Sequence, residues 1–137
     1  MIRNISLLSL ARFVSASCPA CWEDNGSGCQ PQQDKINIHC HSTHMEVTVN
    51  ECLFKPDEQT VFLKDSSCGI GNSIEYDSDA GVYRIDADLN ACGTTQSMGN
   101  DAITFYNQVS ATSDDDANAI ISFGTTTTID LSCSYRV

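Results

Sequence analysis

Cys40-His41-Ser42-Thr43-His44-Met45-Glu46-Val47-Thr48-Val49 joins the two signals that decide the fold, a cysteine and a strand. Met45, Val47 and Val49 alternate with His44, Glu46, Thr48 and Asn50, the two-residue period of a strand with one buried face. Three other cysteines also lie beside strand-like runs. Cys68 closes Val61-Phe62-Leu63-Lys64-Asp65-Ser66-Ser67-Cys68, Cys92 opens Cys92-Gly93-Thr94, and Cys133 opens Cys133-Ser134-Tyr135. A bridge at such a position ties one sheet to another.

The same period recurs downstream. Tyr83, Ile85, Ala87 and Leu89 alternate with Val82, Arg84, Asp86 and Asp88, after the turn-forming Asp77-Ser78-Asp79-Ala80-Gly81. Ile103, Phe105 and Asn107 alternate with Thr104, Tyr106 and Gln108. Val61–Leu63 follows a turn at Lys55-Pro56-Asp57-Glu58. Ala119–Phe123 and Thr127–Cys133 complete the set, with Gly124 between them, and the β-branched Thr125–Thr128 favours strand. Asp114-Asp115-Asp116 reads as an acidic loop tip. Apolar residues show no helical period. About seven short strands separated by turns predict an all-β sandwich.

Composition narrows the class. A chain of 137 residues with eight cysteines suits one stapled domain with a short appendage in an oxidising compartment. Zinc would need paired short-spaced ligand blocks, and only Cys18-Pro19-Ala20-Cys21 has such spacing. The net charge is −11; removing Arg3 and Arg12 with residues 1–16 would make it −13. Nucleic acid and anionic membrane surfaces both demand basic patches, so neither is expected as a partner.

The N-terminus reads as a signal peptide over residues 1–16. Met1–Asn4 is weakly basic, Ile5–Val14 is mostly apolar, and Val14-Ser15-Ala16 places short residues before a cleavage at Ser17. Arg12 departs from that pattern. Residues 17–35 form a cysteine-rich linker, and Cys21–Cys29 resembles the last loop of an EGF-like module, as a remnant. Asn25-Gly26-Ser27 is a glycosylation sequon on a turn-like segment.

Residues 36–137 resemble the N-terminal half of a zona pellucida module, the ZP-N domain. The matching pieces, in order, are Cys40 with Met45-x-Val47-x-Val49; Phe62-Leu63-Lys64-Asp65-x-x-Cys68; Cys92-Gly93-Thr94; Ile103-x-x-Tyr106-Asn107-x-Val109; and Ile129-x-Leu131-x-Cys133-x-Tyr135. The resemblance implies an immunoglobulin-like sandwich with Cys40–Cys133 and Cys68–Cys92 bridges, and Tyr135 packed near the disulfide region. Spacing alone does not select those pairs, since eight cysteines admit on the order of a hundred connectivities. Cys52 is similar to an extra cysteine of the uromodulin-like branch. Cys18, Cys21, Cys29 and Cys52 then remain for two bridges, one of which is expected to pin the linker to the sandwich. The resemblance also implies an extracellular, secreted module that associates with itself or other ZP modules in filaments or matrices. The sequence stops at Val137, after the fourth shared cysteine and before any ZP-C half, propeptide or C-terminal anchor. A membrane would be met only through such an anchor. The alternative reading is a monomeric recognition domain, a glycan-bearing decoy or a gamete or cell-surface receptor fragment.

No catalytic, cofactor or metal residues are assigned. His39 and His41 would share a strand face, but no third ligand accompanies them. Asp77, Asp79 and Gly81 echo a calcium loop, with the glycine in the fifth place and only Asp88 at the twelfth; a turn fits better. No G-x-S-x-G occurs, and an even cysteine count disfavours a free thiol nucleophile. Met45, Phe62, Tyr83, Phe105, Tyr106 and Phe123 read as core, and Trp22 as an exposed contact residue or a cover for the linker. Sheet-edge pairing is the expected route of association, with the candidate edge at Ile103–Val109 together with Ile129–Tyr135.

Overall fold

The computed structural model describes residues 18–113 and 125–136. The signal-peptide segment, the acidic Asp114–Asp116 and the expected Ala119–Phe123 strand lie outside the described residues. Among the described residues ten strands follow in order: β1 (Trp22–Asp24), β2 (Cys29–Pro31), β3 (Ile36–Cys40), β4 (His44–Asn50), β5 (Glu58–Leu63), β6 (Ile74–Asp77), β7 (Val82–Asp88), β8 (Thr95–Met98), β9 (Ala102–Ser113) and β10 (Thr126–Arg136). Short 3-10 turns cover Gln33–Lys35 and Glu51–Leu53.

β1 and β2 form a separate hairpin. One sandwich sheet has the order β3-β4-β7-β6. The other is built on β9. β10 pairs with one side of β9 from Thr126↔Thr112 to Arg136↔Ala102. β5 and β8 share the opposite side, β5 against Val109–Ser113 and β8 against Ile103–Tyr106. Every one of these ladders is antiparallel.

Alternation explains the core. Met45, Val47 and Val49 of β4 and Tyr83, Ile85 and Ala87 of β7 point inward and are buried. They meet Val61 and Leu63 of β5, Val109 and Ala111 of β9, and Ile129, Leu131 and Cys133 of β10. Their alternate neighbours Glu46, Arg84, Asp86, Asp130 and Ser132 are exposed, so a one-residue slip would bury charge. The structure is thus all-β with two facing sheets, consistent with the immunoglobulin-like ZP-N expectation.

Three expectations about side chains change. Phe62, read as core, is half-buried, because it alternates with the buried Val61 and Leu63 of β5. Tyr106 is 46% exposed rather than core, because it alternates with the buried Asn107. Trp22 is half-buried: it packs against the core, and its indole N–H donates to Leu53 O at 3.0 Å.

Candidate association surface

The four bridges set the geometry. Cys40–Cys133 joins β3 to β10 and so ties the two sheets; Cys68–Cys92 closes the loops after β5 and β7. These are the pairs that the family resemblance implies. Cys18–Cys29 closes the β1–β2 hairpin, and Cys21–Cys52 pins it to the 3-10 turn after β4. Cysteine spacing carried no signal for choosing Cys21 over Cys18 or Cys29.

Beside the Cys40–Cys133 bridge, the Tyr135 ring meets Phe105 edge to face at 5.6 Å. Its hydroxyl donates to His41 O at 2.6 Å, which holds the end of β10 to the β3–β4 turn. His41 stacks on His44 at 4.7 Å; their ring nitrogens lie 3.6 Å from Glu46 and 3.9 Å from Asp86. The close histidine pair is therefore His41 and His44, not His39 and His41. No group of three or more metal-ligating side chains occurs among the described residues. Asp77 spends its carboxylate locally: Oδ1 accepts the amides of Ala80 and Asp79, and Oδ2 pairs with Arg84 at 3.0 Å. The Ala80 amide and Arg84 hold this carboxyl below its usual value. This is a turn satisfied from within.

The opposite side of β9 carries a gap, since β8 ends its pairing at Tyr106 and β5 begins at Val109. Asn107 fills it. Its buried amide Nδ2 donates to Cys92 O at 3.0 Å and Thr94 Oγ1 at 2.9 Å, and Oδ1 accepts Lys64 N at 3.0 Å. One side chain thereby replaces missing ladder bonds and seats Cys92 for its bridge. Gly93 follows with φ +80°, where a Cβ would lie 2.8 Å from Asp65 N and 2.9 Å from Lys64 Cβ, so only glycine fits.

Glu58 closes the far end. It is 1% exposed, and its Oε1 accepts the Lys55 amide at 2.9 Å and the Thr127 hydroxyl at 2.6 Å. Burial works against ionisation, yet the Thr127 hydroxyl and the Lys55 amide outweigh it and hold the carboxyl below its ordinary value. The Thr125 hydroxyl contributes in the same sense from outside hydrogen-bonding geometry. Sequence reading placed Glu58 in a turn, and nothing in its neighbours signals burial.

These placements correct the expected edge. Ile103–Val109 is interior, with β10 on one side and β5 and β8 on the other. Among the described residues β10 pairs with β9 alone, so its outer side is a free edge of the sheet. An apolar groove of about 650 Å³ runs beside its start, between Thr126–Thr128 and the docked hairpin's Pro19 and Trp22. The Asn25–Gly28 loop stands exposed at the hairpin tip. Among the described residues no helix is long and apolar enough to cross a membrane.

Two sheets stapled at their rim, with one long strand paired on one side only among the described residues, define a disulfide-framed β-sandwich. Compared with protein families, residues 40–136 match the ZP-N domain. The chain belongs to the ZP-N domain family. No curated protein matches it. ZP-N domains are extracellular modules for protein association and assembly, not known as enzymes.

Proposed function

We propose that this chain is a secreted structural module that associates with itself or with other ZP modules through the outer edge of β10, toward filament or matrix assembly. The observation that carries the reading is the long β10 strand paired on one side only among the described residues. Its unpaired N–H and C=O groups form a template for an added strand. The docked hairpin, with Cys21–Cys52 holding it, supports a place in the uromodulin-like branch with an EGF-like remnant upstream. Residues 1–16 act as the signal peptide, and Asn25 on its exposed loop carries a glycan.

Lysines on an edge strand oppose strand addition. Thr128→Lys with Ser132→Lys places two on exposed positions of β10. Sedimentation should show self-association weakened about tenfold, with unfolding shifted by no more than ~0.5 kcal/mol. Unchanged association would remove β10 from the interface. The exposed Asn25 loop favours the second reading, a monomeric glycan-bearing recognition domain. A chain that stays monomeric at high concentration with Asn25 occupied would select it.

A further inference from the structure

A second concave surface adjoins the groove at the start of β10, on the far side of Cys52–Pro56. It opens between the 3-10 turn after β4 and the β6–β7 hairpin, with a volume of about 610 Å³. Four large apolar side chains are exposed among the described residues: Ile70, Tyr76, Met98 and Tyr106. Two of the four, Ile70 and Tyr76, line this one cleft. Its floor is aromatic. Phe54 meets Tyr83 edge to face at 5.6 Å, and Tyr76 leans on Tyr83 at 4.9 Å. The Tyr76 hydroxyl donates to Glu51 Oε2, which fixes the ring and sets a carboxylate beside it. Glu58 lines the same cleft, buried, with Oε2 lacking any hydrogen-bond partner. Lys55 is the one cation among the lining residues, against two carboxylates, on a chain of net charge −11.

An aromatic face attracts a cation, and a guanidinium does more than an ammonium. It stacks flat on a ring while its fork of N–H donors reaches a carboxylate. Its aliphatic stem would cover Ile70, which is 51% exposed. We propose that this cleft binds an arginine side chain presented by a partner polypeptide, with Tyr76 as the stacking face and Glu51 as the acceptor. The cleft shares Cys52, Phe54, Lys55 and Pro56 with the groove beside the start of β10, but Glu51, Ile70 and Tyr76, which carry the proposal, line this cleft and not that groove, so the proposal stands whether or not β10 pairs with a second chain.

The test uses capped arginine (N-acetyl-arginine amide), followed by NMR at the Ile70 methyls and the Tyr76 ring. Capped citrulline, the same shape without the charge, and capped lysine are the comparison ligands. Capped arginine should give saturable shifts with a dissociation constant on the order of a millimolar. Citrulline should give none, and lysine should bind about threefold or more weaker, as expected where stacking and the fork matter. Glu51→Gln should weaken arginine binding about fivefold or more, through loss of a charge-assisted contact. Tyr76→Phe should keep binding within about threefold, since the ring is retained. Tyr76→Leu should abolish it, and the amide spectrum reports whether each variant is folded. Equal binding of citrulline, unchanged binding by Glu51→Gln, or no saturable shift at about ten times the expected constant would overturn the proposal. Because these ligands cannot extend a sheet, failure here leaves the β10 reading intact, and failure of β10 pairing leaves this site intact.

Discussion

The two flanks of β9 solve one problem in opposite ways. On one flank β10 runs unbroken from Thr126 to Arg136 and satisfies the β9 backbone by regular pairing. On the other, two short strands meet β9 end to end, and a buried side chain, a bridge and a glycine make up the break. Regular pairing needs no particular residue at most positions, which leaves β10 free to present a reproducible outer edge. The broken flank depends on single residues, and its outer strands β5 and β8 present only short edges of 6 and 4 residues, against 11 in β10. The proposed association follows from the first kind of flank, and the sensitivity of the fold follows from the second.

That contrast can be broken most severely at the bridge that ties β10 to the facing sheet. Replacing Cys40 and Cys133 together by alanine removes a bridge of sequence separation 93. Chain entropy alone then costs about 4–5 kcal/mol, enough to unfold many small domains. Denaturant unfolding should show a midpoint collapse; a shift of under ~1 kcal/mol would mean that β-pairing alone closes the sandwich.

On the broken flank, Asn107→Leu keeps the size but takes the acceptor from Lys64 N and leaves Cys92 O with the Asp65 amide alone. A loss of about 2–4 kcal/mol is expected from the three side-chain hydrogen bonds removed and the amide left unpaired. The matched change on the regular flank, Asp130→Ala at an exposed β10 position, should stay within ~0.5 kcal/mol. Equal effects would erase the distinction. Gly93→Ala should cost about 1–3 kcal/mol through its left-handed backbone and the close Lys64 contact.

Glu58 sharpens the comparison at the point where β5 meets β10 through Thr127. Its carboxyl titrates lower in the folded chain than in the unfolded one. As pH falls, the unfolded chain therefore takes up the proton first. The contribution is complete above the ordinary glutamate value near pH ~4.3 and is lost as pH falls through the lower folded value. Glu58→Gln should cost about 1–2 kcal/mol at neutral pH and flatten the acid limb of stability against pH. An acid limb identical to that of the parent chain would remove Glu58 from the linkage.

Residues with a period were legible in the sequence. β4, β7 and the start of β9 follow from alternating apolar residues; the inward positions of β4 and β7 are buried, while Ile103 and Phe105 at the start of β9 are half-buried. β8 was not legible, because Thr95–Met98 is wholly exposed and carries no inward apolar set. β6 is four residues with only Ile74 buried, too short for a period to show. The β1–β2 hairpin is held by Cys18–Cys29 and by Trp22 on Leu53 O, both contacts across sequence distance. Tyr106 reads as core by its aromatic ring, yet the polar Asn107 holds the buried register and Tyr106 the exposed one. Alternation gives two faces but does not say which one is inside when a polar residue occupies the buried register. Asn107 belongs inside only because β5 and β8 leave a gap, and that gap is a property of the assembled sheet.

Amide hydrogen exchange compared between dilute and associated forms tests the edge most directly. Association through β10 predicts new protection on alternate amides of Thr126–Arg136, with β9 unchanged because it is already paired on both sides. Associated material with β10 exchanging as in the dilute chain, and new protection confined to β3 or β6, would contradict it.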